Sequence, residues 1–313
     1  GGVELPTYAV DGRVEIGTFL NDPQRIDDLA FDLQMRDRRL EVRNLSGQTY
    51  GGQLAGGLTF DQSGSATSSA RPGGPGSVLM AAREPAATPA PPSSDLQYDI
   101  QLEGAKASAF LEDWTTLGRV VNGTLDLQMD GDTPLSNGLL PVATALTAKG
   151  TSIVADGGLS LDLGVTKLLV DRLGLRSSFT NFKRFGGPFT IEDGALKMGE
   201  WTLGGQGLTT RLSGALGLGG SVDLDARMEV PLSTIQNSKI GGLVGMGDGG
   251  LLQKLMGAGQ GEKTVPVRVS IGGTMRDPTV EVVDKDAVQS ALQQLAKEQG
   301  LNRLRNLFDG GGK

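Results

Sequence analysis

The sequence predicts a mainly β (α+β) protein: a large antiparallel β-sheet built of repeated meanders, with a few amphipathic helices, one of them C-terminal. Three observations predict it. Apolar residues recur at period two over long stretches, which gives each strand one apolar and one wet face. Gly supplies 49 of the 313 residues without a Gly-X-Y period, which suits many short turns and excludes collagen. Two stretches also carry the same ordered phrases, which marks a repeated β unit. Hydrophobic residues make up 38% and aromatics only 4%, so the core rests on Leu, Val, Ile and Ala.

The first meander occupies 1–60. Val14 and Ile16 alternate with polar residues, and Leu29, Phe31, Leu33 and Met35 hold strict period two. Asp37-Arg38-Arg39 is a polar turn, after which Leu40 and Val42 resume the alternation. Leu54, Leu58 and Phe60 continue it beyond Gly51-Gly52. Connections this short make neighbouring strands antiparallel. Residues 61–94 break the pattern with Pro72, Pro75, Pro85, Pro89, Pro91 and Pro92 among Ser, Ala and Gly. Such a stretch cannot bury enough apolar surface to order itself, so it is expected to be a disordered loop or linker.

A β-rich region is expected over 95–309. Leu96, Tyr98, Ile100 and Leu102 form a strand. Phe110, Trp114, Leu117 and Val121 fall at spacings of four, three and four, a helical stripe that would cover the sheet. Leu125, Leu127 and Met129 form the next strand, and 135–147 has weak helical character around Pro141. A second meander runs from Phe179 to Val230. Phe189 and Ile191 precede an Asp193-Gly194 turn, then come Leu196 and Met198, and then Leu212, Leu216 and Leu218. Val222, Leu224, Ala226 and Met228 complete it.

The two meanders match phrase by phrase. Phe31 to Asp37 with Leu40-x-Val42 matches Phe189 to Asp193 with Leu196-x-Met198. Leu54-x-Gly56-x-Leu58-x-Phe60 matches Leu212-x-Gly214-x-Leu216-x-Leu218. Residues 233–261 are apolar but broken by glycine, and short helices or a flap are expected there. A last strand pair spans Val265 to Val283, and an amphipathic helix over 284–309 ends the chain. Asp286 and Gln289 have capping-box spacing, and Val288, Leu292 and Leu295 form the stripe.

Composition argues against catalysis. The chain has no His and no Cys, which removes Ser-His-Asp, Cys-His, zinc and haem-type chemistry. No cofactor is implied. A net charge of −7 argues against a nucleic-acid surface and against electrostatic adhesion to anionic headgroups. Gly245-x-Gly247-x-x-Gly250 has dinucleotide-fingerprint spacing, yet no strand pattern leads into it. Gly261-Glu262-Lys263-Thr264 has the wrong glycine spacing for a phosphate loop. Asp130-x-Asp132 and Asp223-x-Asp225 lack the further ligands and closing Glu of a calcium loop, and at i, i+2 they read as solvated strand charges. Trp114 belongs to the helical stripe, and Trp201 is expected in the core or at its rim. No run of 18 or more apolar residues is present, so a membrane anchor is expected outside this stretch of chain.

Several phrases resemble the AsmA-like C-terminal region. They are Thr264-Val265-Pro266-Val267-Arg268-Val269, Gly273-Thr274-Met275-x-Asp277-Pro278-x-Val280, and Asp284 with the terminal helix. Gly118-x-Val120-x-x-Gly123-x-Leu125 resembles the family's repeated strand opening, and Ile191-x-Asp193-Gly194-x-Leu196 its turn phrase. The Pro-rich insert departs from the pattern. The resemblance implies a large curved antiparallel β-sheet with an apolar groove, held in the periplasm of a Gram-negative bacterium by an inner-membrane helix. It implies a role in outer-membrane biogenesis and, as for the large relatives TamB and YhdP, in phospholipid movement. It brings no catalytic motif.

Physics is compatible with such a groove, since an acyl chain gains about 0.8 kcal/mol per buried CH₂ without polar contacts. The lipid-facing candidates are the residues in apolar strand phase: Phe31, Leu33, Leu40, Val42, Leu58, Phe60, Leu125, Leu127, Phe189, Ile191, Leu196, Met198, Leu216 and Leu218. The same face would equally serve as the core of a structural scaffold that docks envelope protein partners.

Overall fold

The alternation read from the sequence becomes one sheet. In the computed structural model, the described residues are 9–61, 94–114, 121–136, 140–141, 145–160, 181–205, 209–231, 264–275, 277–284, 286–291, 293–294 and 297. They form a 14-stranded, open, wholly antiparallel sheet in which neighbours in space are neighbours in sequence.

The first four strands are β1 (Val10–Asn21), β2 (Gln24–Arg36), β3 (Arg39–Thr49) and β4 (Gly52–Asp61). Then come β5 (Ser94–Lys106), a short helix α1 (Ala107–Trp114), β6 (Val121–Ser136), a two-residue β7 (Leu140–Pro141) and β8 (Thr147–Leu159). β9 (Asn181–Glu192), β10 (Ala195–Gly205), β11 (Thr209–Gly217), β12 (Val222–Pro231), β13 (Thr264–Gly273) and β14 (Pro278–Val282) complete it. β7 pairs only with β6, off the main path. Residues 286–291 are helical, and the Val288 N–H donates to the Asp284 carbonyl at 3.1 Å.

Two hairpins show why the chain turns where it does. Asp37 and Arg38 connect β2 to β3 with φ of 48° and 66°, and Asp193 and Gly194 connect β9 to β10 with φ of 53° and 68°. Two central residues with positive φ define the turn whose twist matches paired strands. The closing Gly-Thr-x-x-Asp-Pro phrase is also a turn. Gly273 sits at φ 88°, the Asp277 N–H donates to Thr274 Oγ1 at 3.0 Å, and Pro278 opens β14 on the sheet edge, where a missing donor is tolerated.

Several sequence expectations give way to different elements. Val121 is not on the helix; α1 ends at Trp114, and Val121 begins β6, where it is buried. The four-three-four spacing ran across a helix–strand junction. Of 135–147, where a weak helix was expected, the described residues include the end of β6 (Leu135 and Ser136), the two-residue β7 (Leu140–Pro141) and Thr147 at the start of β8. β8 itself was not anticipated. The last helix is capped at Asp284, whose carbonyl accepts from the Val288 N–H, so Asp286 is not its cap and the Asp286–Gln289 pair is not a capping box. The Pro-rich stretch over 62–93, the segment over 233–261 and the part of the expected terminal helix beyond 297 fall outside the described residues.

Candidate functional site

Directly opposed residues of an antiparallel pair point to the same side of the sheet, so register can be followed strand by strand. One row runs from Leu33 through Val42, Leu58, Tyr98, Gly131, Ala148, Ile191, Leu196 and Leu216 to Val222. The next runs from Gly56 through Ile100, Met129, Gly150, Phe189, Met198, Gly214, Leu224 and Ile271 to Val280. A further row links Ala105, Leu125, Val154, Phe185, Leu203, Thr210, Met228 and Val267. These rows make one apolar face that crosses the whole sheet.

The opposite face is wet. Asp99, Asp130, Lys149, Thr190, Lys197, Ala215 and Asp223 form one of its rows. The two acidic pairs lie on this side. Asp130 meets Lys149 at 3.4 Å, and Asp132 accepts from Thr147 Oγ1 at 2.7 Å. Asp225 accepts two bonds from the Arg268 guanidinium, at 2.9 and 2.7 Å, which holds its carboxyl below the usual range. Among the described residues no group of three or more His, Cys, Asp or Glu could hold a metal ion.

Coverage divides the apolar face. Towards α1 it is closed: Leu102, Ala105, Ala107, Leu125, Val154, Phe182 and Trp201 form one buried cluster, with Phe110 and Leu111 of α1 packed on it. Phe110 meets Tyr50 edge-on at 5.6 Å. At the far side Val230, Val265, Val267 and Val269 form a second buried cluster with Val288 of the terminal helix. Towards the Asp37 and Asp193 turns the face is only half-covered, as Leu33, Val42, Leu58, Ile191, Leu196 and Leu216 all are.

The candidate residues sort accordingly. Phe60, Leu125, Leu127, Phe189 and Met198 are buried in the core. Phe31, Leu33, Leu40, Val42, Leu58, Ile191, Leu196 and Leu216 are half-buried on the same face. Phe31 lies opposite Val14, and Leu40 opposite Met35 and Phe60. Leu218 is not on a strand. It lies in the turn after β11, is 50% exposed, and its N–H donates to the Gly194 carbonyl at 2.8 Å. The turn begins one residue too early for the alternation to reach it.

Sequence reasoning placed Tyr98 on a strand and Trp201 in the core or at its rim, where it is buried, but not the polar partners of either. The Tyr98 hydroxyl donates to the Thr147 carbonyl at 2.9 Å, and burial, with Asp132 and Asp130 nearby, pushes its phenol up to about 12. Gly131 lies beside it, where a Cβ would stand 2.6 Å from the phenol oxygen. Trp201 Nε1 donates to the Pro188 carbonyl at 2.7 Å, and Gly187 leaves room for its ring. The signal for both was a glycine opposite an aromatic, which requires the register to be known.

No described helix is long and apolar enough to cross a membrane, which says nothing of strands. Comparison with protein-family models, with curated proteins and with solved structures finds no match.

Proposed function

We propose that this chain is a non-catalytic, AsmA-like periplasmic module that serves outer-membrane biogenesis by holding or guiding phospholipid acyl chains along its apolar face. One observation carries the reading: a largely apolar row crosses the sheet from Leu33 to Val222, and its Leu33, Val42, Leu58, Ile191, Leu196 and Leu216 are only half-covered, while Ala148 and Val222 are buried. Strands spaced about 4.8 Å apart make the main path of the sheet on the order of 55–60 Å wide. Apolar burial needs no directed polar group, so such a lane suits chains of varied headgroup. The phrases resembling the AsmA-like region support the same reading, as does their position over β13, the Gly273 turn, β14 and the start of the terminal helix.

A second reading rests on the closed part of the face. There Val265 and Val269 are fully buried, as in an ordinary core, and the module would be an envelope scaffold that docks protein partners.

Organic extraction of the purified protein followed by mass spectrometry separates the two. Acyl-chain handling predicts near-stoichiometric phospholipid that is lost when Leu58→Asp and Leu216→Asp are introduced into a still-folded protein. Lipid no higher than in an unrelated control protein favours the scaffold.

A further inference from the structure

We infer that the outer edge of β1 is an assembly edge for a second copy of this chain, the two β1 strands pairing antiparallel about a two-fold axis. The two ends of the sheet are built differently. β14 is an edge of only five residues, opens with Pro278, and leads directly into the helix whose Val288 packs on the sheet. Short length, proline and a covering helix are the usual means of blunting an edge. β1 is neither short nor interrupted by proline, and among the described residues no helix covers it. It is twelve residues long and contains neither Pro nor Lys, and among the described residues no strand pairs with its outer side. Its unpaired backbone donors and acceptors form a template for another strand.

The charge pattern of β1 selects the occupant. Asp11, Arg13 and Glu15 alternate along one face, with Val10, Gly12, Val14 and Ile16 between them. In an antiparallel pair centred on Val14, Arg13 of each copy lies opposite Glu15 of the other. In a pair centred on Gly12, Arg13 lies opposite Asp11. Either register places unlike charges face to face, which stabilises cross-strand pairs. A two-fold axis normal to the sheet keeps both apolar faces on one side, so the strand is complementary to itself. β1 also carries Phe19 and Leu20, which are 42% and 70% exposed and stand beside this edge.

An interface made of one strand pair is small, of the class below roughly 1,200 Å² that holds reversible complexes. Sedimentation velocity from about 1 to 200 µM is therefore expected to show monomer passing to dimer. Arg13→Glu makes the stripe wholly acidic, and Asp11→Arg with Glu15→Arg makes it wholly basic. Each variant alone is expected to stay monomeric, with its strand content checked by circular dichroism. An equimolar mixture of the two is expected to dimerise again, because the reversed stripes match. A wild-type chain that stays monomeric throughout overturns the inference. So does a dimer that survives unchanged in both variants, or a mixture of the folded variants that does not associate.

Discussion

The β2–β4 unit and the β9–β11 unit share one design and differ in what covers it. Both open with a two-residue turn that starts with Asp at positive φ, and both break register in the second strand, after Val42 and after Met198. Counted from the turns, Leu33 corresponds to Phe189, Met35 to Ile191, Val42 to Met198, and Leu45 to Trp201. The phrase match set Phe31 against Phe189 and Gly56 against Gly214, and pairing displaces each by two residues. Yet Phe189 and Met198 belong to the buried cluster that Phe110 and Leu111 of α1 also join, while Leu33 and Val42 stay half-covered. The local phrase therefore determines the hairpin and its bulge, and its neighbours decide whether the apolar face becomes core or lane.

The largest expected effects test this division. Gly56 and Gly214 have φ of 153° and 131°, and a Cβ at either would run into the carbonyl oxygen of Asp99 or Asp223. Each Gly→Ala change should cost about 3 kcal/mol in urea unfolding. In hydrogen exchange, Gly214→Ala should unprotect β9–β13. Gly56→Ala should unprotect β1–β4 and leave β9–β13 slow. Equal loss across the sheet in both variants would mean that it unfolds as one unit.

Next in size is the matched pair Met198→Ala and Val42→Ala. Met198 is 7% exposed within the cluster and should lose about 2–3 kcal/mol. Val42 should lose only about 1 kcal/mol, because part of its surface already faces solvent. Equal losses would show that Val42 is covered as well.

The turns should respond in opposite directions. Arg38 occupies a left-handed position that Gly194 fills in the second unit. Arg38→Gly is expected to stabilise by up to about 1 kcal/mol, and Gly194→Arg to destabilise by a similar amount. Thermal melts of the two variants would reveal a sign error at once.

The smallest effect is that of Tyr98. Its phenol titrates higher in the folded chain than in the unfolded one, so the folded state keeps the proton longer. Stability should be unaffected below the ordinary tyrosine range and fall as pH rises from about 10 towards 12. Tyr98→Phe should remove that part of the alkaline slope. An unchanged slope would count against the raised phenol.

The strands that were legible in the sequence are those with bulky alternation, such as Leu29 to Met35 and Val222 to Met228. β8 was hidden because its apolar face carries Ala148, Gly150 and Ser152. Gly150 lies between Met129 and Phe189, and a Cβ there would collide with the backbone of Gln128 and Met129. The neighbours supply the volume, so the strand itself shows no hydrophobic period. For the lane, the sequence supplied the apolar phase of each strand. It did not supply the order of coverage across the sheet, which depends on where α1 and the terminal helix settle.

Because spatial order follows chain order, nearly every contact of this sheet joins consecutive strands. The fold is a zipper, close to a one-dimensional chain of hairpins in which each strand feels only its two neighbours. Assembly can start at a tight turn such as Asp193-Gly194 and spread outward, closing only short loops at most steps. A sheet built this way can be lengthened or trimmed by whole hairpins, and evolution can adjust its width without redesigning a shared interior.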